Sequence, residues 1–487
     1  MKTSRKYNLF NTKVWAACLL GIGAFTISCD SLLDEEPKTI VSENFYQNAS
    51  DFDAAINAVY FPLRMVRSEQ VAVLSAHTDW GYGRGSRAQY NDFDGFNPTN
   101  INAAASRWNS FYQGIRNANI VIEKAPLSEE LTEEEMNGFI AEAMFLRALT
   151  YFDLVRNWGG VPLRTEQNIS DKDVPKSSVE NVYSLILSDL EAAETGLPTA
   201  AAEPGRPTRW AAKTLLSDVY LQLGEFDSAK LKAQEVIDSD AFELVNVTSV
   251  DELRDKIFGP TLISSSEEIF SFKFARQTGQ GNGLPWILNH PSTGLYNFGG
   301  AYAHYGDASN PFYKEWEEGD LRKSLWQLVD FGLGDSTLVN GKYAEPQAVD
   351  NSGAGNDIPI YRYAELLLIY AEASAQVDGL TEENIEAVNQ VRRRAFGLDP
   401  MEASSMDYRL EDLNTTEFLN LILQEKAYET QFEGKRWLDL KRTGRAEEFV
   451  MKNKGLSIAD RHYLWPIPLE ELNFNEAMGT ADQNPGY

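Results

Sequence analysis

The chain has 487 residues, 43% of them hydrophobic and 11% aromatic, enough for one large core or two intimate ones. Its formal net charge of -28 argues against nucleic acid or an anionic lipid surface as the main partner, because either would be repelled. The two cysteines, Cys18 and Cys29, both lie near the N-terminus, so neither a disulfide framework nor a cysteine zinc site is available to the body of the chain.

The N-terminus reads as a targeting segment over residues 1–28. Lys2, Arg5, Lys6 and Lys13 precede an apolar stretch from Val14 to Ile27, which is of signal-peptide length and short for a membrane span. It ends at Ser28-Cys29, and a cysteine after a small residue at that place reads as a lipidation site. Thr26 stands where such sites usually carry Leu. Acyl chains on Cys29 would each add roughly 0.8 kcal/mol of membrane affinity per buried methylene. Residues 29–43, short and acidic with Pro37, are expected to be a tether.

An N-terminal helical part is expected over 44–240. Its first helix is placed from about Asn44 to Met65, with Phe45, Phe52, Ile56, Val59 and Tyr60 as apolar candidates. From Ser75 to Ala103 the sequence is rich in Gly, Asn and aromatics and has no helical period, which predicts a long loop. Helix resumes through Trp108, Tyr112, Ile115, Ala118 and Ile122, with Trp108 in the core. Thr132 with Glu135 forms a capping box ahead of Phe139–Val155, which is apolar nearly all round and stops at Gly159-Gly160. Ser177 with Glu180 reads as a second box, opening a helix with Val182, Leu185, Ile186, Leu190 and Ala193 inward.

The organising stretch is Trp210–Ile237. Ala212, Leu215, Leu216, Val219, Tyr220 and Leu223 make one stripe, Gly224 stops it, and Phe226, Ala229, Ala233, Val236 and Ile237 make a second. Leu216, Ser217, Tyr220, Gly224, Phe226 and Ala229 stand at tetratricopeptide spacings. One such hairpin cannot bury its own faces, so further helix pairs must stack on it.

Regularity fades from Phe242 to about Pro359, giving a loop-rich insertion over 241–358 with a short strand at Ser271–Phe274. Helices return in a C-terminal part, 359–487, at Tyr361–Ala375, Glu383–Phe396 and about Thr416–Phe432. The turn-rich tail, with LWPIPLEELNFNE and QNPGY, is expected to be packed. The fold class is therefore mainly all-α, a tetratricopeptide-like helical scaffold with long irregular insertions and minor strands.

Glu142–Pro162 (EAMFLRALTYFDLVRNWGGVP), Gln424–Gly444 (QEKAYETQFEGKRWLDLKRTG), Asn389–Ala395 (NQVRRRA), Trp465–Pro468 (WPIP), Gln483–Tyr487 and the start CDSLLDEEP together resemble the SusD/RagB family, in the family's order along nearly the whole mature chain. The resemblance implies one SusD-like domain over 29–487, anchored by Cys29 at the outer-membrane surface. It also implies a partner TonB-dependent, SusC-like transporter and capture of a nutrient, most often a glycan, without catalysis. A peptide-capturing, RagB-type role is the alternative within the family.

A non-catalytic sugar site needs flat aromatics for C–H faces and polar groups for hydroxyls. Composition points to Asp79, Trp80, Tyr82, Arg84, Arg87, Tyr90, Asn91 and Asp92 in the first irregular region. In the second it points to Trp286, Tyr296, Tyr302 and Tyr305, with Asn289 and His290 nearby. Core packing is the competing role for each aromatic. On this reading Trp80→Ala or Trp286→Ala weakens glycan binding while folding survives.

Glu142, Arg147, Asp153, Glu429, Glu433, Arg436, Asp439 and Arg442 lie on apolar-rich helices, and a structural ion-pair network is the reading for them. The four histidines form no HExxH, and no GxSxG or P-loop occurs, so enzyme signals are weak, and the resemblance implies a protein that is not an enzyme; a paired-carboxylate glycosidase is the less favoured alternative. No cofactor or metal is expected, although Asp350–Asp357 (DNSGAGND) and Asp92-Phe93-Asp94-Gly95 offer oxygens to calcium.

Overall fold

A computed structural model describes residues 45–93, 96–97 and 100–487. The signal segment, Cys29 and the tether lie outside the described residues. The helices and strands named below all belong to the unit Gln47–Tyr487.

The helix α1 (Ala49–Ala76) opens with a reciprocal capping box between Asn48 and Asp51 and runs through Pro62. It therefore extends well past the expected end at Met65 and occupies the start of the expected loop. Proline removes one helical donor, which would strand the carbonyl of Ala58. The Asn117 amide donates to that oxygen at 2.7 Å, so the helix continues without an orphaned group. Its second half buries Val66, Val71, Ala72, Val73, Leu74 and Ala76.

Next come α2 (Ala105–Lys124), α3 (Glu133–Trp158), α4 (Val179–Gly196), α5 (Arg209–Leu223) and α6 (Phe226–Ile237). Each packs on the one before it. The Thr132–Glu135 box opens α3, and Gly159 at φ +74° ends it. The cap of α4 falls one residue later than expected: Ser178, not Ser177, accepts from the Asn181 N–H. The α5–α6 turn matches the expectation, with Gly224 left-handed at φ +75° and the Glu225 N–H returning to the Tyr220 carbonyl at 2.9 Å. Leu221 and Ala229 pack on Ile369 and Ala373 of α7 (Tyr363–Asp378), which supplies the stacked partner a lone hairpin lacks. Beyond α7 lie α8 (Glu382–Ala395), α9 (Thr415–Glu429), α10 (Arg436–Arg442) and α11 (Ala446–Lys454). The tail is packed: Trp465 and Ile467 are buried, and the Asn484 amide donates to the carbonyls of Trp158 and Trp465.

The strands are β1 (Tyr82–Gly83), β2 (Glu268–Phe272), β3 (His304–Asp307), β4 (Trp326–Leu328), β5 (Thr337–Asn340) and β6 (Ile358–Arg362). β2 starts three residues before the expected strand and pairs antiparallel with β6. The others form a sheet in the order β1-β3-β5-β4, with Tyr82 opposite Tyr305. The two irregular regions, far apart in sequence, are thus joined in one sheet.

The charged motif residues build interior ion pairs. Arg362 binds Glu429 and Glu433, both at 2.6 Å, and Arg394 binds Glu429 at 2.6 Å. Arg147 grips Asp189 with two bonds of 2.8 Å, and Arg67 meets Asp153 at 2.8 Å. Arg442 joins Glu372 at 2.7 Å and Asp439 at 3.0 Å. These residues hold helices together, which is the structural role their apolar surroundings implied.

Candidate ligand-binding surface

The β1–β3 edge carries the candidate site. Its shape is set by Gly299 and Gly300, at φ +77° and +66°, followed by Tyr302 at φ +39°, an unusual value for a residue with a side chain. A Cβ on Gly300 would fall 2.0 Å from the Asn289 carbonyl oxygen, so only glycine fits there. Segment 301–303 then hangs on 286–289. The Ala301 N–H donates to the Trp286 carbonyl, Tyr302 to Asn289 at 3.1 Å and Ala303 to Ile287 at 2.8 Å.

This backbone brings five rings together. Tyr82 and Tyr305 stack at 5.4 Å and 20° across the strand pair. Phe331 touches Tyr305 at 6.1 Å, Tyr302 at 4.9 Å and His290 at 5.5 Å. Tyr302 meets His290 at 4.6 Å. Arg84 lies over Tyr302 at 3.9 Å and donates to the carbonyls of Tyr302 (3.2 Å) and Ala301 (3.1 Å). All six side chains belong to half-buried residues, so part of each faces solvent. Burial raises the Tyr82 and Tyr305 phenols, which keeps both protonated. Burial, then Arg84, lowers His290, which keeps its imidazole neutral near pH 7. The result is an uncharged aromatic surface with one guanidinium, able to stack on apolar faces and donate or accept hydrogen bonds at its edges.

Of the candidates named from the sequence, Tyr82, Arg84, Tyr302 and Tyr305 are brought together on this surface, with His290 beside them. Sequence reasoning missed Phe331. The available signal was an aromatic opening a Gly-rich turn, Phe331-Gly332-Leu333-Gly334.

Other candidates are corrected. Trp80 is 3% exposed, stacked on Phe312 and edge-on to Trp326 and Phe432, hence a core residue. Asp79, fully buried, accepts two bonds from Arg436 (2.9 and 2.8 Å) and one from Asn453 (2.8 Å). Burial works to raise its carboxyl, but Arg436 and these bonds outweigh it, and the net effect is lowering. Tyr90 is buried against His77 and Phe96, and Tyr296 is buried with its hydroxyl donating to the Asp350 carbonyl. Asn91 clamps β1, accepting from the Gly83 N–H and donating to the Gly83 carbonyl. Arg87 is tied to Glu69 at 2.6 Å. Trp286 is half-buried between two apolar clusters and contributes its carbonyl to the Ala301 strut. Asn289 is buried and donates to Pro285 and Tyr343. Asp92 is exposed at a turn.

The calcium candidates are committed elsewhere. Asp350 takes the Ser352 N–H, and Asp357 takes Lys273 and the Phe274 N–H. Asp94 and Gly95 lie outside the described residues. Among the described residues, no three His, Cys, Asp or Glu side chains cluster as metal ligands. Among the same residues, no helix is long and apolar enough to cross a membrane.

The model of the SusD family matches residues 329–487, and a second, described as "Starch-binding associating with outer membrane", matches residues 31–221. The chain belongs to the SusD/RagB family. SusD-like protein P2 of Formosa agariphila is 28% identical over 516 residues, covering 95% of this chain and 97% of that one. Among solved structures, a SusD superfamily protein from Parabacteroides distasonis superposes with a TM-score of 0.74 at 25% identity, over 92% of this chain and 100% of that one. A laminarin-binding SusD-like protein superposes with a TM-score of 0.74 at 25% identity, over 91% of this chain and 100% of that one. The mainly helical fold with small antiparallel sheets is the SusD fold.

Proposed function

We propose that this SusD-family chain is a surface lipoprotein, anchored through Cys29, that captures a poly- or oligosaccharide on the Tyr82–Tyr305–Phe331–Tyr302–His290 surface. It then passes the glycan to a partner SusC-like TonB-dependent transporter. The observation that carries this reading is the contiguity of five partly exposed rings with Arg84 at their edge. Stacking on sugar C–H faces needs such an array, and core packing does not need it to face solvent. The laminarin-binding relative and the outer-membrane description of the second family model support the ligand class and the location.

The function is binding without bond cleavage and without a cofactor. Of the carboxylates near this surface, Glu69 holds Arg87, Asp307 accepts from the Ser309 N–H at 2.7 Å, and Asp330 accepts from the Gly332 N–H at 2.8 Å.

The test is affinity electrophoresis of the soluble chain from Asp30 onward against neutral and acidic polysaccharides. At least one polysaccharide should retard the wild type. Tyr302→Ala and Phe331→Ala should each weaken retardation about tenfold, the scale of one lost aromatic contact of about 1–1.5 kcal/mol. A reducing-sugar assay should stay flat. Binding to a sugar-free protein digest, with no polysaccharide retarding the chain, would favour peptide capture instead.

A further inference from the structure

We propose that the chain carries a second saccharide site, a groove between α1, the turn at 203–206 and β2, and that it takes a neutral glycan segment. The inference rests on the saccharide reading for its ligand class only, since the groove and the aromatic surface share no lining residue.

Two open depressions of about 370 and 350 Å³ adjoin here, both lined by Pro204, Gly205, Arg206 and Ser271. Each is within the range of small-ligand sites, and together they offer a trough rather than a pit. The crest between them is kept low by Gly205. Its φ is +89°, and a Cβ there would fall 2.5 Å from Cγ of Lys273, so the turn lies directly on the lysine stem.

The walls have the two chemistries a sugar needs. Phe61 projects from α1 into the first depression at 52% exposure, and Trp210, in the first turn of α5, lines the second. Phe61 thus presents an apolar face to solvent beside a concave surface. Beside Phe61 stand the planar polar groups of Asn57, Arg64 and Gln280. Arg64 donates to the Gln280 side-chain oxygen and makes no ion pair among the described residues.

Charge selects the ligand. The lining cations are Arg64, Arg206 and Lys273. Arg206 is already paired with Asp53 and Glu142, and Lys273 with Glu268 and Asp357. Glu203 adds another carboxylate at the rim. Counting these pair partners, five carboxylates (Asp53, Glu142, Glu203, Glu268 and Asp357) stand against the three cations, in a chain whose net charge is itself -28. A uronate or sulfated sugar would be repelled, whereas hydroxyls can bond to Arg64, Asn57 and Gln280 without paying that penalty.

The experiment is fluorine NMR on the soluble chain labelled with 5-fluorotryptophan, the Trp210 signal being assigned through Trp210→Phe. The probes are hydrolysates of starch, laminarin, xylan and mannan, with alginate and pectin hydrolysates as acidic counterparts. One neutral hydrolysate should move the Trp210 signal saturably, in the wild type and in Tyr302→Ala alike. Phe61→Ala should weaken that response about tenfold with its melting temperature unchanged. Three results would overturn the proposal: a Trp210 signal that no probe moves, one that moves only with acidic probes, or one that stops responding in Tyr302→Ala. Retardation on polysaccharide gels with a silent Trp210 would remove the groove and leave the aromatic surface standing.

Discussion

Asp79 decides between two accounts of the first irregular region. Its carboxylate, three residues past the end of α1, is fully buried and ties Arg436 of α10 and Asn453 of α11 through three bonds. In Asp79→Ala, Arg436 would keep, among the described residues, only the Leu423 carbonyl, at 2.9 Å, and the Phe449 ring, at 4.7 Å. Removing one partner of a buried ion pair costs about 3–5 kcal/mol, chiefly because the remaining charge stays buried. Unfolding entropy of about 2.1 cal/mol/K per residue gives roughly 0.9 kcal/mol/K for the unit Gln47–Tyr487. The expected fall in Tm is therefore about 3–5 °C, read by calorimetry. Polysaccharide retardation at a temperature where the variant is folded should change little. The double variant Asp79→Leu with Arg436→Met should lose less than the sum of its single changes, because no charge is left stranded. A Tm within 1 °C of wild type combined with lost retardation would refute this reasoning and return Asp79 to the ligand.

Trp80→Ala should cost about 3–5 kcal/mol in urea unfolding, since the ring is enclosed by Phe312, Trp326 and Phe432; a stable variant with lost glycan binding would restore its role as a platform. Gly300→Ala should both destabilise the chain, by about 1–3 kcal/mol, and weaken retardation, because the new methyl meets the Asn289 carbonyl and unseats Tyr302; wild-type binding would show that the 299–303 backbone does not set the site. Lys454 donates to the carbonyls of Ala76 and Gly81 beneath the Tyr82 ring, and burial pushes its amine down to about 7 from the ordinary 10.5. Between those values the unfolded chain binds the proton and the folded chain does not, so this group's contribution to stability rises with pH from about 7 to 10.5; the stability difference between wild type and Lys454→Met should follow that slope, and a flat difference would show that Lys454 does not titrate there.

The helical scaffold was legible because its signals are local. A stripe of Leu215, Leu216 and Val219, a stop at Gly224 and a box at Thr132–Glu135 each act within a few residues, and each is found where the period placed it. The end of α1 was not legible for the opposite reason. Past Met65 the helix buries Arg67 among Val66, Val71 and Val73, and the carboxylate that pairs with it is Asp153, in another helix.

The site divides along the same line. Tyr82, Arg84, Tyr302 and Tyr305 stand in Gly-rich sequence that cannot be helical, which is enough to place them on loops and strands near the surface. Asp79 and Trp80 share that composition but sit directly after a buried helix end. Trp80 is then enclosed by Phe312, Trp326 and Phe432, and Asp79 is held by Arg436, all of them residues from distant parts of the chain. Composition reports what a side chain could do for a ligand. Whether it faces one depends on which distant residues claim it first. For an aspartate the deciding claim is a buried cation, because an unpaired Arg436 would cost more than a sugar hydroxyl could return. Charged candidates in this fold are therefore best tested first against its interior arginines, and half-exposed rings such as Phe331, whose ring contacts among the described residues are themselves half-buried, are the better candidates for ligand contact.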